Sequence, residues 1–211
     1  MPSDALKASR ARRHLDRLET LIDSIYALVI VLLVAQFPSP LTTEGEFSNL
    51  LEFFSSEKGD LFAPLIGLVM IIAYWIQNNA IFGSLDRTDN KHASIAIAQM
   101  LFVLFYLYSA DLMDAFPDAR SVLAIQSSIF AIMGILNLAG WRYACKDRRL
   151  LSDEVTPEDQ QAIRRMILPE PLTALVTLPF AAISATAWNL SWLAFPLVGY
   201  LVKRLIPSSA E

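Results

Sequence analysis

The sequence predicts an all-α integral membrane protein with six transmembrane helices and both termini in the cytoplasm. Three observations carry that prediction. First, 55% of the 211 residues are hydrophobic and the mean hydropathy is +0.43, above the ~45–50% apolar content of an ordinary soluble domain. Second, the excess is gathered into blocks of roughly 17–24 residues, the length a helix needs to cross a ~30 Å hydrocarbon core. Closed barrels use short alternating segments instead, so helices are the spanning solution that fits. Third, Lys and Arg are distributed with a strong bias between alternate connections.

The elements follow in order. Residues 1–16 form a basic arm, in which "ASRARRHLDR" (8–17) is a topology signal that can also meet anionic lipid. The six blocks are Thr20–Phe37, Leu61–Phe82, Ser94–Met113, Ser121–Ala144, Leu168–Ala187 and Leu190–Ile206. Together residues 17–206 make one six-helix domain, and 207–211 a cytoplasmic tail. The longest outer loop, 38–60, carries Phe and Leu residues suited to a short helix lying in the interface. Its acids and those of the other outer loop (Glu44, Glu46, Glu52, Glu57, Asp60, Asp111, Asp114 and Asp118) leave a negative rim that is expected from charge bias alone and can also concentrate cations. In 145–167, Thr156 as N-cap, Pro157 at N1 and acids in the first turn predict a short cytoplasmic helix. Pro179 and Pro196 fall within the fifth and sixth blocks, where they should kink or loosen a turn.

Orientation rests on counting bases. The arm, the connection after block two, the connection after block four and the C-terminal end together hold 15 of the 17 Lys and Arg residues. The opposite side keeps only Lys58 and Arg120. With six spans these groups share one side, read as the cytoplasmic face of a bacterial-type inner membrane. A cleaved signal peptide is not expected. Acids interrupt the basic lead, and "AQFPSP" after Val34 offers no small-x-small site.

Several functions are disfavoured. The two histidines, His14 and His92, belong to no His/Cys/carboxylate cluster, so neither a metal site nor a cofactor is expected. There is no nucleophile elbow, phosphate loop or H-E-x-x-H. Enzymatic and nucleic-acid-binding roles are not expected. The lone Cys145 has no intramolecular partner for a disulfide.

The polar residues inside the spans carry more information. Asp23, Gln77, Asn78, Asn79, Gln99 and Asn137 all fall in the inner half of blocks one to four. An ionised carboxylate in a span costs several kcal/mol unless it meets a partner or water. The economical reading is a structural polar knot, with a proton or substrate relay as the alternative. Arg17 and Asp23 are six residues apart, about 240° around a helix, so they address different neighbours. On the first helix, Leu21, Ser24 or Ile25, Leu28, Leu32 and Ala35 recur at helical spacing. Spacing alone describes packing or lipid contact.

The residues of this helix carry a family resemblance. Arg17-x-x-x-Leu21-Ile22-Asp23 resembles the R-x-x-x-F-S-D first-helix motif of the transmembrane protein 175 family, the endosomal and lysosomal potassium channels and their prokaryotic relatives. Leu21 stands for Phe and Ile22 for Ser. In "YWIQN", Trp75 fits a late Trp-x-x-His pattern of the second helix, and Asn78 replaces the histidine. The six-span layout and the "WRYACKDRRL" end of block four also resemble single-repeat prokaryotic members.

The resemblance implies a homotetramer in the lipid bilayer whose first helices surround a central pore for potassium and other monovalent cations. It places the constriction five residues past the motif aspartate, at Leu28, with further pore positions at Leu32 and Ala35. A ring of leucines can close a pore by dewetting. Arg17, Asp23 and Asn78 fall in the family's structural polar network. Val31 and Ala27 stand where the family carries small polar residues, which implies weak discrimination of potassium from sodium. Asp23, without the family's serine and histidine, is expected to find donors such as Asn78 or Asn79. Two other readings remain: a proton-coupled secondary transporter using Asp23, and a non-conducting membrane scaffold.

Overall fold

The computed structural model describes residues 2–39, 49–56, 58–116 and 119–206. Nine α-helices are found among them, in order α1 (Pro2–Ala35), α2 (Leu50–Ser56), α3 (Lys58–Gly83), α4 (Asn90–Ala115), α5 (Arg120–Cys145), α6 (Pro157–Ile167), α7 (Pro169–Ala181), α8 (Ala185–Ser191) and α9 (Phe195–Leu205). Tight 3-10 turns follow α5 at Lys146–Arg148 and link α8 to α9 at Trp192–Ala194. No strand occurs among the described residues beyond a single bridge between Leu85 and Leu151. The expected acids Glu44, Glu46, Glu57 and Asp118 and the tail 207–211 lie outside the described residues.

Five helical stretches are long and apolar enough to cross a membrane: Ser9–Ala35, Pro64–Gly83, Asn90–Met113, Arg120–Arg148 and Ala185–Leu205. Because α1 runs unbroken from Pro2 to Ala35, no break separates the described part of the basic arm from the first block. The last joins α8, its turn and α9. The fifth block differs from expectation. It yields only the 13-residue α7, about 20 Å long at 1.5 Å per residue. Pro169 and Pro171 sit in its first turn, and Pro179 removes a backbone donor two residues before the helix stops at Ala181. The chain then turns, and the Ser184 hydroxyl caps α8 by accepting from the Ala187 N–H at 3.1 Å. The break expected between Ala187 and Leu190 thus falls at 182–184. Pro196 sits in the first turn of α9, directly after the 3-10 turn, where its missing N–H costs nothing.

Packing centres on α5, which lies against α4 and α7, while α1 lies against α3 and α4. Two glycines permit close approaches. A Cβ on Gly134 of α5 would meet three ring carbons of Pro171 on α7 at 2.6–2.7 Å, and one on Gly67 of α3 would overlap the Tyr106 hydroxyl of α4. Across the α3–α5 seam, the Tyr74 hydroxyl donates to the Phe130 carbonyl at 2.7 Å. Between α5, α7 and α8, the Trp188 indole donates to Ser127 Oγ at 2.8 Å, and Ser127 shares a 2.7 Å hydrogen bond with Thr177.

The basic connections meet at one end of the molecule. The α3–α4 and α5–α6 loops pair through Asp86 N–H to Leu150 C=O and Ser152 N–H to Ser84 C=O, both 3.0 Å. Arg87 Nε donates to the Arg149 carbonyl at 3.0 Å, and Arg12 of α1 approaches Asp86 at 3.5 Å. The Arg148 guanidinium holds the loop that follows by donating to the carbonyls of Val155 and Ser152 at 2.9 Å. Asp89 caps α4 by accepting from the His92 N–H at 2.9 Å and also accepts from the Tyr143 hydroxyl at 2.7 Å. Burial pushes its carboxyl up, but the His92 N–H, the Tyr143 hydroxyl and the Lys91 N–H outweigh this and hold it below the ordinary carboxylate range. Helix α6 opens with a capping box, Asp159 N–H to Thr156 Oγ1 at 3.2 Å and Thr156 N–H to Asp159 Oδ2 at 2.9 Å.

Candidate functional site on helix α1

Helix α1 has two apolar faces with different fates. Leu15, Leu18, Ile22, Tyr26, Val29 and Leu33 step by three and four residues along one face, and all are buried against the rest of the chain. Leu21, Leu28 and Leu32 run along the other, 44%, 51% and 42% exposed, with Val31 beside them at 65%. Ala27 and Ala35 share that exposed side. A solvated helix would place charges there. Here, from Leu21 to Ala35, the exposed positions are apolar or small, apart from Ser24, so this face suits lipid or a second protein surface. Its two hydroxyls near the basic end are turned onto their own helix: Thr20 Oγ1 donates to the Asp16 carbonyl at 2.8 Å and Ser24 Oγ to the Thr20 carbonyl at 2.7 Å.

Asp23 lies at the edge between the faces, half-buried. Its donor is Trp75 of α3, whose indole Nε1 reaches Asp23 Oδ1 at 3.0 Å. The expected donor, Asn78, is instead buried one turn further along α3, where its Nδ2 donates to the Tyr26 hydroxyl at 3.0 Å and to the Tyr74 carbonyl at 2.9 Å. Two side-chain bonds on successive turns therefore fix the rotation of α1 against α3. That rotation decides which residues α1 presents outward. Arg17 is exposed and joins no ion pair among the described residues.

Deeper in the bundle, the Asn137 amide of α5 donates to Gln77 Oε1 of α3 at 2.9 Å. Gln99 of α4 is 3% exposed, and its Nε2 has no hydrogen-bond partner among the described residues. Beside Gln77 stands Glu170 of α7, also 3% exposed. The Gln77 amide lies near the Glu170 carboxyl, and among the described residues Gln77 Nε2 and Glu170 Oε2 are both buried without a hydrogen-bond partner.

Sequence reasoning did not single out Tyr26 or Glu170, and it valued Trp75 for its family pattern rather than as the donor to Asp23. The available signal for Glu170 was an acid between two prolines at the head of an apolar run. Among the described residues, no group of three His, Cys, Asp or Glu side chains gathers to hold a metal.

Comparison with known proteins bears on this arrangement. The family model described as endosomal/lysosomal potassium channel TMEM175 matches residues 17–106, the stretch that holds Arg17, Asp23, Trp75 and Asn78. Over 195 residues the chain is 26% identical to a protein of Chamaesiphon minutus named as a potassium channel, covering 89% of this chain and 93% of that one. Over residues 17–106 the chain is similar to the TMEM175 family. A crystal structure of a lysosomal potassium-selective channel TMEM175 homolog from Chamaesiphon minutus shares the fold, with a TM-score of 0.69 at 20% identity, over 90% of this chain and 99% of that one. The endosomal/lysosomal proton channel TMEM175 of Danio rerio is 23% identical over 184 residues, 84% of this chain but 34% of its own length. This chain therefore spans about a third of the zebrafish protein's length. TMEM175 is a family of ion channels, not a class of enzymes.

Proposed function

We propose that this protein is a potassium-type cation channel, weakly selective, formed by four copies whose α1 helices surround a central pore. The carrying observation is the second apolar face of α1, which the folded chain leaves uncovered while burying the first. Within a homotetramer the exposed stripe turns to the shared axis. Leu28 then forms the constriction, Leu32 and Ala35 continue the pore, and the ring of leucines closes it by dewetting. The names carried by its relatives agree with cation conduction.

In this reading α7 is the fifth crossing, shorter than the others. The four basic clusters face the cytoplasm with both termini, in an inner membrane of bacterial type. The links from Trp75 to Asp23 and from Asn78 to Tyr26 serve as alignment devices that hold α1 in rotation. The absence of hydroxyls at Ala27 and Val31 leaves little beyond pore width and field to separate potassium from sodium.

Currents and mass test this together. Leu28→Ala is expected to raise conductance and lower selectivity further in reconstituted bilayers, with a tetrameric subunit count in detergent. Unchanged currents in that variant would remove Leu28 from the gate. A proton-coupled carrier remains the second reading, favoured by the carboxyl group of Asp23 at the edge of the exposed face and by the zebrafish relative's name. Flux that persists without a proton gradient excludes it.

A further inference from the structure

Between α6, α7 and α9 lies a cavity of about 750 Å³ whose lining includes Arg165, Met166, Phe195, Pro196, Tyr200 and Lys203. The volume is within the ~300–1,000 Å³ range of small-molecule sites. Its two ends differ in chemistry. Along α9, Phe195 and Pro196 lie seven to eight residues before Lys203, about 11 Å at helical rise. From α6, Arg165 and Met166 line the same cavity. The two cations come from elements far apart in sequence and line the same cavity. Neither makes an ion pair among the described residues. The one acid in the lining, Glu170, keeps its Oε2 sealed from solvent. The outer side of α9 exposes Leu197, Leu201 and Leu205, so the groove lies beside a face suited to lipid.

From this graded charge and apolarity we infer that the groove binds one anionic phospholipid, its phosphate between Arg165 and Lys203 and its glycerol and first methylenes along Met166, Pro196 and Phe195. Guanidinium binds phosphate through paired N–H donors, and the ammonium of Lys203 adds a point charge. Basic recesses between helix ends at the cytoplasmic leaflet are suited to such headgroups. A free anion would gain nothing from the apolar half of the cavity. The inference concerns lipid occupancy and does not depend on conduction.

Native mass spectrometry of the full chain, purified in detergent and mixed with phosphatidylglycerol or phosphatidylcholine, tests it. The wild type is expected to retain phosphatidylglycerol in preference to phosphatidylcholine. Arg165→Gln with Lys203→Gln should weaken that retention about tenfold or more, while Arg142→Gln with Lys146→Gln, two exposed cations outside the groove, should leave it unchanged. Gly199→Leu keeps both charges but fills the groove. A Cβ there stands 4.0 Å from the Pro169 ring, so the first carbon fits and the added bulk projects onward, and lipid should be lost. Equal loss in the control pair means diffuse charge attraction and overturns the site. So does equal retention of phosphatidylcholine, displacement of the lipid by inorganic phosphate alone, or a groove variant that changes subunit number instead of lipid number.

Discussion

Replacing Gly134 with alanine adds one methyl group at the closest approach of α5 and α7. The added carbon would lie 2.6–2.7 Å from Cβ, Cγ and Cδ of Pro171. Comfortable carbon–carbon contact begins near 3.5 Å, so the helices must separate by close to an ångström. The obstructing atoms cannot swing aside, because the proline ring is fixed to the α7 backbone. The displacement would be passed to the Ser127–Thr177 bond, 2.7 Å long and one of the ties across the same seam. Overpacking of this kind costs about 1–3 kcal/mol, and the rigid ring places this case toward 2 or above. For a chain of this size that lowers Tm by about 4–8 °C. Gly83→Ala is the matched control, since a Cβ there meets nothing within 4 Å. Thermal unfolding of both variants in one detergent reads the difference. Equal Tm values for Gly134→Ala and Gly83→Ala would refute the claim that α5 and α7 pack at the glycine–proline contact.

Further outcomes follow from other contacts. Trp75→Phe removes the donor to Asp23 while keeping most of the ring; because both partners are partly exposed the loss should be about 1 kcal/mol, read by unfolding in a double-mutant cycle with Asp23→Ala. Asp23→Ala should mainly reduce stability or assembly, and a well-folded Asp23→Ala protein with altered ion preference would contradict the structural role. Asp89→Asn should weaken the cap of α4 at neutral pH. The folded Asp89 carboxyl titrates below its unfolded counterpart, so its contribution is present above the unfolded carboxylate pKa and is lost as pH falls through the folded one. The stability gap between wild type and Asp89→Asn should therefore close on acidification; a gap that widens in acid would reverse the assignment.

The main architecture could be read from the chain because a bilayer imposes length and polarity on every crossing segment. Blocks one to four match α1, α3, α4 and α5 closely for that reason. The capped start of α6 was legible too, since Thr156, Pro157 and Asp159 act within a single turn. The region after Ile167 was harder. Hydropathy registers apolar content but not where three prolines let a helix run, so the 13 residues of α7 and the turn at 182–184 were hidden inside one apolar block. Pairings across helices were hidden for a different reason. Asp23 could meet any donor at its depth, and the choice of Trp75 over Asn78 depends on the rotation of α3, which is set by Tyr74 and Tyr26 in the core. Glu170 was overlooked because its flanking prolines marked it as a boundary residue, whereas packing of α7 against α5 carries it inside.

The most direct test of the central claim asks whether the exposed face of α1 meets the ion path. Leu28→Cys, in a Cys145→Ser background, would be reconstituted and treated with a charged thiol reagent while potassium flux is recorded. Leu193→Cys, an exposed apolar position between α8 and α9, serves as the peripheral control. Rapid block at position 28 with no effect at 193 is the predicted result. Flux that continues unchanged after verified labelling at 28 would place that face of α1 away from the path of the ions.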